Sequence, residues 1–593
     1  MKKKIIVIVS IILAVAIVAL TLGLTLSKCS GKKIVQVVMV DQDKDKDDDD
    51  SSTDDTDSSD DDDTDDSTGN GFLDEPIGTD LGFKDGEMEN LSDLFDIKNE
   101  VYTLKSENGS APLCKTFRGL TGTVYWPTEF TDDVFGRHYT EDMMKEELRR
   151  LVDAGITHVR TQIQTSWVFS GNEDKPWDWE CERMQEMYAY FRTMKEVGLT
   201  PIVVLFGSMA GIVYGGNNSA QADSHYLTPR ILDENGRPIV IEKWLVYFEI
   251  PDYEETYKRL AQYTVELYNA CKDHDAEIND VMFFTEPHED GGSPTGAHGE
   301  MFVECFTTIH ERLIKEGIRD KIKVYGPNQS SKRGGLARLI MEQAPDTVDV
   351  YTSHFTPNGQ VSTDDLYDTG LEVYRNYMQV MTDFESEKEF WIDEFGLDGD
   401  IYVPQFDMSD AFRGTQQACY MTAMMNAGIS GFSAWQFLQK LWPDYIGSGG
   451  EFWYGVQLGG DMQSLFTNEA PFPSYYASTL YSKYSGRQNG KTYYSYAEDE
   501  MSGLYIGTVE LEDGGWSIYV VNMTTDEKSF QIDFERSLGG KTLYRYLYSP
   551  ETVNPTVKAE IIKADKGFKN VDKTLCDTLS GGSVAVYSTI ENF

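Results

Sequence analysis

The feature that most constrains the fold is a repeated alternation of short apolar segments and amphipathic segments between about residues 118 and 486. Segments such as 141–154 and 180–197 carry apolar residues at helical spacing. Gly155 and Gly198 each follow such a segment and precede a β-prone run, which is a common way for a helix to stop. Eight alternations of this kind predict a (β/α)8 barrel, and an open doubly wound sheet is the structural alternative. The eight strand candidates are Gly119–Tyr125, Thr157–Ile163, Thr200–Phe206, Asp280–Thr285, Lys321–Gly326, Val348–His354, Phe390–Glu394 and Gly431–Gln436.

The chain changes character from about Tyr493, where short alternating strands are separated by Gly, Asp and Asn turns. This pattern predicts a small antiparallel β-sandwich of about 100 residues. Part of the segment 93–115, before the barrel, is a candidate for one further strand of that sandwich. The predicted organisation is an N-terminal anchor region over 1–33, a linker over 34–90, the barrel over 91–486 and the sandwich over 487–593.

The N-terminus reads as a transmembrane anchor. Three lysines precede Ile5–Leu26, which contains no charged residue and is long enough to span a bilayer as a helix, since that takes about 20 residues. Lys28 stands before Cys29, where a lipoprotein signal has a small residue, so an uncleaved anchor is favoured over a cleaved or lipidated signal. The preceding lysines favour a cytoplasmic N-terminus, which puts the rest of the chain outside the cell.

The linker is strongly acidic. Asp41–Asp66 holds 16 aspartates and two lysines, and the whole chain carries a net charge of −47. Such a run repels itself and buries no apolar surface, so it is expected to be a solvated, disordered stalk. The acidity also argues against a nucleic-acid partner, because binding phosphates requires a basic patch. The cysteines show no CxxC spacing, and no metal site and no cofactor are expected.

Two strand candidates lead directly to a glutamate. FWIDEFG leads to Glu394 and VMFFTEPHED leads to Glu286. Alternation places Phe390, Ile392 and Glu394 on one face, interpreted as the inward one, with Asp393 pointing the other way toward surface or helix. A buried carboxylate is costly unless it is paired or functional, so the two glutamates suggest either structural ion pairs or the acid pair that glycoside hydrolysis needs.

Several motifs point to the acid pair. They are FRGL at Phe117–Leu120, AGITHVR at Ala154–Arg160, TEP at Thr285–Pro287, SHF at Ser353–Phe355 and the tryptophan of GFSAWQF at Trp435. With these motifs the sequence resembles clan A of the glycoside hydrolases, which are retaining barrel enzymes, over roughly residues 115–486. This resemblance implies that Glu286 on strand four is the acid/base and Glu394 on strand seven is the nucleophile.

The resemblance also implies substrate contacts. Arg160 would lie beneath the nucleophile, and Trp435 would form the floor of the −1 sugar site. Thr285 stands where relatives have an asparagine that binds the sugar 2-hydroxyl, and this departure leaves the family within the clan open. The remaining substrate-binding candidates are His288, His354, Trp126 and Trp442, each with a structural role as its alternative.

Taken together, the sequence predicts a membrane-anchored, extracellular retaining β-glycosidase, monomeric, acting on a polysaccharide or its oligosaccharides. Mannan, glucan and xylan remain open as substrates, as does endo or exo action. Two rivals are kept: a non-catalytic carbohydrate-binding or adhesion protein on a barrel scaffold, and a transglycosylase that uses the same covalent intermediate.

Overall fold

The computed structural model describes the chain in segments that all belong to one compact unit, Asn90–Phe593. The predicted anchor and acidic linker, residues 1–33 and 34–90, lie outside the described residues. In the segments that are described, no helix is long and apolar enough to cross a membrane. These segments are residues 100–123, 140–164, 168, 175–206, 253–284, 297–329, 334–355, 365–396, 411–434, 437, 471–485, 489–551, 553 and 560–591.

Eight parallel strands close into a barrel, which confirms the predicted fold and excludes the open sheet. They follow one another around the barrel in chain order, and the last pairs with the first. The fourth strand ends at Met282, three residues earlier than predicted. Two strands precede the barrel, β1 (Val101–Ser106) and β2 (Cys114–Phe117). The barrel strands are β3 (Gly119–Thr123), β4 (His158–Gln164), β5 (Thr200–Phe206), β6 (Asp280–Met282), β7 (Lys323–Gln329), β8 (Val350–His354), β9 (Glu389–Phe395) and β10 (Gly431–Ala434).

Helices alternate with the barrel strands along the chain. Thr140 caps the first helix by accepting a hydrogen bond from the Met143 amide. Gly155 and Gly198 have φ of +88° and +89°, so the predicted glycine stops are confirmed. The helices are α1 (Glu141–Asp153), α2 (Glu182–Val197), α3 (Tyr253–Asp273), α4 (Ala297–Lys315), α5 (Gly335–Gln343), α6 (Leu366–Asp383), α7 (Ala411–Ala427) and α8 (Pro473–Lys483).

Trp391 fills the inside of the barrel. It clusters there with Ile202, Val204, Met282, Tyr325 and Val350. Gly431 makes room for it, since a Cβ at that position would lie 2.8 Å from the indole. Its neighbours Phe390 and Ile392 instead belong to the core between strands and helices, where Phe390 stacks on Tyr377 of α6 at 5.3 Å. The predicted inward assignment of Phe390 and Ile392 was wrong, because both faces of a barrel strand are apolar and alternation alone does not identify the inner one.

A polar layer lies at the amino-terminal end of the barrel. Glu389 accepts a hydrogen bond from Trp391 Nε1 at 2.8 Å and pairs with Arg118 at 3.2 Å and Lys323 at 3.4 Å. His158 lies edge-on to the Trp391 ring, with centroids 5.6 Å apart. Burial, together with the positive charges of Arg118 and Lys323, lowers the pKa of His158 to about 4. The layer therefore holds a neutral imidazole among compensated charges.

The C-terminal region forms the predicted sandwich, from a seven-stranded and a four-stranded sheet. Residues of both sheets share one apolar core, with Leu104, Trp516 and Ile532 among them. Strand β1 joins the four-stranded sheet, where it pairs in parallel with a strand near Ile532, so the sandwich is not purely antiparallel. The strands after the barrel are β11 (Gly490–Tyr493), β12 (Ser495–Ala497), β13 (Leu504–Glu510), β14 (Trp516–Asn522), β15 (Lys528–Phe534), β16 (Lys541–Tyr548), β17 (Ala564–Val571), β18 (Thr574–Leu579) and β19 (Ser583–Ser588).

The sandwich packs tightly on the barrel. Helix α7 lies between the two and buries Arg413–Ala427. Asn426 donates from Nδ2 to the Ile506 carbonyl at 2.7 Å, and Tyr481 of α8 stacks on Tyr519 at 4.5 Å. The two parts therefore share a continuous core.

The described cysteines are all free thiols. Most are buried in the core, and one is exposed on the four-stranded sheet at Cys576. The buried ones are Cys114, Cys271, Cys305 and Cys419.

Candidate active site

Three of the predicted site residues meet at the carboxyl end of the barrel. They are Arg160 on β4, His354 at the end of β8 and Glu394 near the end of β9. Arg160 Nη1 donates to Glu394 Oε2 at 3.0 Å, and the side chain of Arg160 is only 1% exposed while that of Glu394 is 13% exposed. A buried guanidinium is tolerated only with a charge partner, so this pair is a fixed element of the barrel mouth.

A β-bulge on β9 places two successive carboxylates, Asp393 and Glu394, in this cluster. Ser353 of β8 pairs with Ile392 and His354 pairs with Glu394, which leaves Asp393 without a partner of its own in that ladder. A bulge interrupts the alternation of a strand. Asp393 shares the inner face with Trp391 two residues before it, and its Oδ2 lies 3.7 Å from Arg160 Nε. The prediction that Asp393 faces surface or helix was therefore wrong, and its side chain is 3% exposed.

His354 lies between the two carboxylates. Its Nδ1 is 3.5 Å from Glu394 Oε2, and its Nε2 is 3.4 Å from Asp393 Oδ2. The imidazole is 4% exposed, and Tyr377 donates its hydroxyl to the His354 carbonyl at 3.5 Å. The histidine thus belongs to the carboxylate cluster and not to the apolar sheath of the barrel.

Asn328 completes the described part of the cluster, and sequence reasoning missed it. A register shift in β7 falls at Asn328, between Pro327 and Gln329, and the φ of Asn328 is +61°, a left-handed conformation that asparagine tolerates better than most residues. Its amide N donates to Thr352 Oγ1 at 2.9 Å, and its Nδ2 donates to Asp393 Oδ2. The sequence gives one weak indication of this role, a polar Asn-Gln pair ending an apolar strand.

The other predicted site residues lie outside the described residues. Three of them, Thr285, Glu286 and His288, follow β6, the fourth barrel strand, and Phe284, two residues after that strand, packs edge-on against Phe302 of α4 at 5.2 Å. The carboxyl end of this strand is the edge at which barrel enzymes place catalytic groups. The residues concerned are Glu286, Thr285, His288, Trp126, Trp435 and Trp442.

The cluster can hold one carboxylate in a defined orientation at the mouth of the barrel. Arg160 supplies positive charge and an N–H donor to Glu394, which favours a fixed anion. A positioned carboxylate of this kind can act as a nucleophile or as a base. Among the residues that are described, no group of three or more His, Cys, Asp and Glu side chains is arranged to hold a metal ion.

The fold and this cluster define a class: a (β/α)8 barrel with an attached β-sandwich, resembling clan A of the glycoside hydrolases as the motifs suggested. The GH30 endoxylanase from Clostridium papyrosolvens C71 matches it with a TM-score of 0.52 and 12% identity, over 82% of this chain and 99% of that chain. The catalytic domain of GH30 xylanase C from Talaromyces cellulolyticus gives 0.54 and 11% over the same shares.

A third similar structure is the GH51 arabinofuranosidase from Xanthomonas axonopodis pv. citri, with a TM-score of 0.51 and 10% identity, over 82% of this chain and 99% of that chain. At these identities the likeness shows a shared fold. No protein-family model matches the sequence, and neither does any curated protein.

Proposed function

We propose that the protein is a retaining glycoside hydrolase that cleaves β-glycosidic bonds, with Glu394 as nucleophile and Glu286 as acid/base. The observation that supports it most strongly is the placement of Glu394 at the end of the seventh barrel strand, bonded to the buried Arg160 at 3.0 Å and flanked by His354. A fold shared with several glycoside hydrolases supports the same conclusion.

The proposed reaction has two steps. Glu394 attacks the anomeric carbon and forms a glycosyl ester, while Glu286 donates its proton to the departing glycosidic oxygen. Glu286 then removes a proton from water, which attacks the same carbon and releases Glu394. Arg160 compensates the negative charge of Glu394 before the attack and after its release.

A test begins with the release of reducing sugar from xylan, β-mannan, β-glucan and galactan. The named relatives differ in activity, so the panel stays broad. Wild-type protein is expected to cleave one of these polymers, and Glu394→Gln and Glu286→Gln are each expected to lower the rate at least about 10³-fold. Glu387→Gln is the matched control, since Glu387 is an exposed surface glutamate paired with Lys115.

Two outcomes would contradict the proposal. One is a Glu394→Gln variant that keeps wild-type activity. The other is a wild type that binds glycan and cleaves none of the polymers, which would favour a carbohydrate-binding or adhesion role. Product analysis with an added acceptor sugar separates hydrolysis from transglycosylation.

We also propose that Ile5–Leu26 anchors the enzyme in the membrane with the catalytic part outside the cell. Its uncharged length supports this. The full-length protein is expected in the membrane fraction, and deletion of residues 1–33 should release it into the soluble fraction. Cys29→Ser should leave the protein membrane-bound, and release by this substitution would point to a lipid anchor instead.

A further inference from the structure

We propose that Asp393 is a positioning residue that holds Arg160 and His354 against Glu394. The inference rests on the proposed role of Glu394 and adds a residue to that site. It starts from the bulge on β9, which places two successive carboxylates of one strand in the same cluster.

The four side chains form a closed ring of polar contacts. Arg160 touches Glu394 Oε2 through Nη1 at 3.0 Å and faces Asp393 Oδ2 through Nε at 3.7 Å. His354 faces the same two oxygens, Glu394 Oε2 through Nδ1 at 3.5 Å and Asp393 Oδ2 through Nε2 at 3.4 Å. The Arg160–Glu394 contact is a hydrogen bond and the other three, at 3.4–3.7 Å, are longer polar contacts, so Asp393 favours the side-chain orientations in which Arg160 and His354 face Glu394.

Asp393 also accepts a hydrogen bond from a side chain of β7. Asn328 donates to the same Oδ2 from a second bulge, on β7, and its own amide is held by Thr352. Both bulges interrupt the regular strand pairing at the carboxyl end of the barrel. Asn328 from β7 thereby reaches Oδ2 of Asp393 on β9. Groups held by such partners keep their geometry more accurately than groups on a flexible loop.

Burial separates the roles of the two carboxylates. The side chain of Asp393 is 3% exposed and that of Glu394 is 13% exposed. Asp393 is also the shorter residue and directs Oδ2 to three protein groups. Glu394 is therefore the carboxylate placed to meet a substrate, and Asp393 acts through Arg160 and His354.

The substitution Asp393→Asn tests the charge. An asparagine keeps the volume and an acceptor oxygen for Asn328, but it removes the carboxylate that faces Arg160 Nε. We expect kcat to fall about 10–100-fold, the usual effect of losing a group that orients a reacting one, with little change in KM. The matched control is Asp577→Asn, a buried aspartate of the sandwich paired with Arg545 at 2.7 Å, which should lower stability and leave kcat unchanged. An Asp393→Asn variant with wild-type kcat would overturn the proposal.

Azide distinguishes a positioning residue from the nucleophile. With an aryl glycoside of the sugar found in the cleaved polymer, azide should restore turnover to Glu394→Ala. The azide nitrogen bonds to the anomeric carbon as the aryl oxide leaves, and the product is a glycosyl azide. Asp393→Ala should form no glycosyl azide. Formation of this product by Asp393→Ala, and not by Glu394→Ala, would make Asp393 the nucleophile and overturn the assignment.

A final measurement does not depend on activity, so it separates failure of this inference from failure of the proposed function. Because the His354 ring is 4% exposed and faces two carboxylates, a ring N–H proton should exchange slowly and appear in the proton NMR spectrum downfield of the amides. A resonance that disappears in His354→Gln identifies His354. The ring of contacts predicts that the resonance shifts or is lost in Asp393→Asn and is unchanged in Asp577→Asn. An unshifted resonance in Asp393→Asn would refute the positioning role even if the protein cleaves glycans.

Discussion

His158 makes the stability of the barrel depend on pH between about 4 and 6.5. In the folded protein its pKa is lowered to about 4 from an ordinary value of 6.5, because burial and the charges of Arg118 and Lys323 oppose protonation. As the pH falls below 6.5, His158 becomes protonated in the unfolded chain but stays neutral in the folded chain. The contribution of the neutral imidazole to stability is therefore complete above pH 6.5 and is lost toward pH 4. The difference between the two pKa values lowers the free energy of unfolding by about 2 kcal/mol at pH 5 and about 3 kcal/mol at pH 4. These are upper limits, since His158 is partly exposed.

Urea unfolding of wild type and His158→Gln at about pH 7.5 and about pH 5 measures the effect. The variant loses packing against Trp391 at both pH values, so that cost cancels when the two pH values are compared. We expect the wild type to lose up to about 2 kcal/mol more than the variant on acidification. Parallel losses in the two proteins would refute the reasoning, because they would show that the imidazole titrates alike in the folded and unfolded chains.

Three substitutions test the packing of the described regions. Arg160→Met should lower the free energy of unfolding in urea by about 3–5 kcal/mol, since it leaves buried carboxylates uncompensated. A variant of wild-type stability would mean that the cluster is solvated. Gly431→Ala should cost about 1–3 kcal/mol in thermal unfolding, because its Cβ would lie 2.8 Å from the Trp391 ring; an unchanged midpoint would show that the indole can move. Asn426→Ala should cost about 1–3 kcal/mol and speed proteolysis of the sandwich, because the Ile506 carbonyl loses its donor at the barrel interface. Unchanged proteolysis would argue that this bond contributes little.

The sequence predicted the barrel well because the evidence for it is local and repeated. Each helix carries its own period, and the stops at Gly155 and Gly198 are backbone conformations that glycine adopts more readily than other residues. Eight such units in succession leave few architectures open. The positions of Arg160, His354 and Glu394 at one end of the barrel follow from the same pattern, since parallel strands bring their carboxyl ends to one edge.

The sequence did not show which face of β9 points into the barrel. Its residues alternate between two buried environments, and no polar face identifies the inside. Trp391, at the centre of the barrel, is accommodated by Gly431 of the neighbouring strand, a match that depends on the pairing of two segments distant in the chain. Once Trp391 faces inward, Asp393 follows it.

The sequence by itself determined the element types, their order and the presence of a carboxylate at the end of the seventh strand, because backbone preference and side-chain period act between near neighbours. The tertiary structure decided which charged side chains meet in one cluster. Arg160 and Glu394 are 234 residues apart in the chain and meet at 3.0 Å. A bulge on β9 lets Glu394 share that cluster with Asp393, and a register shift in β7 brings Asn328 to it. Register is set by pairing and packing between strands, and a shift of one residue is enough to turn a carboxylate from the helices to the barrel mouth.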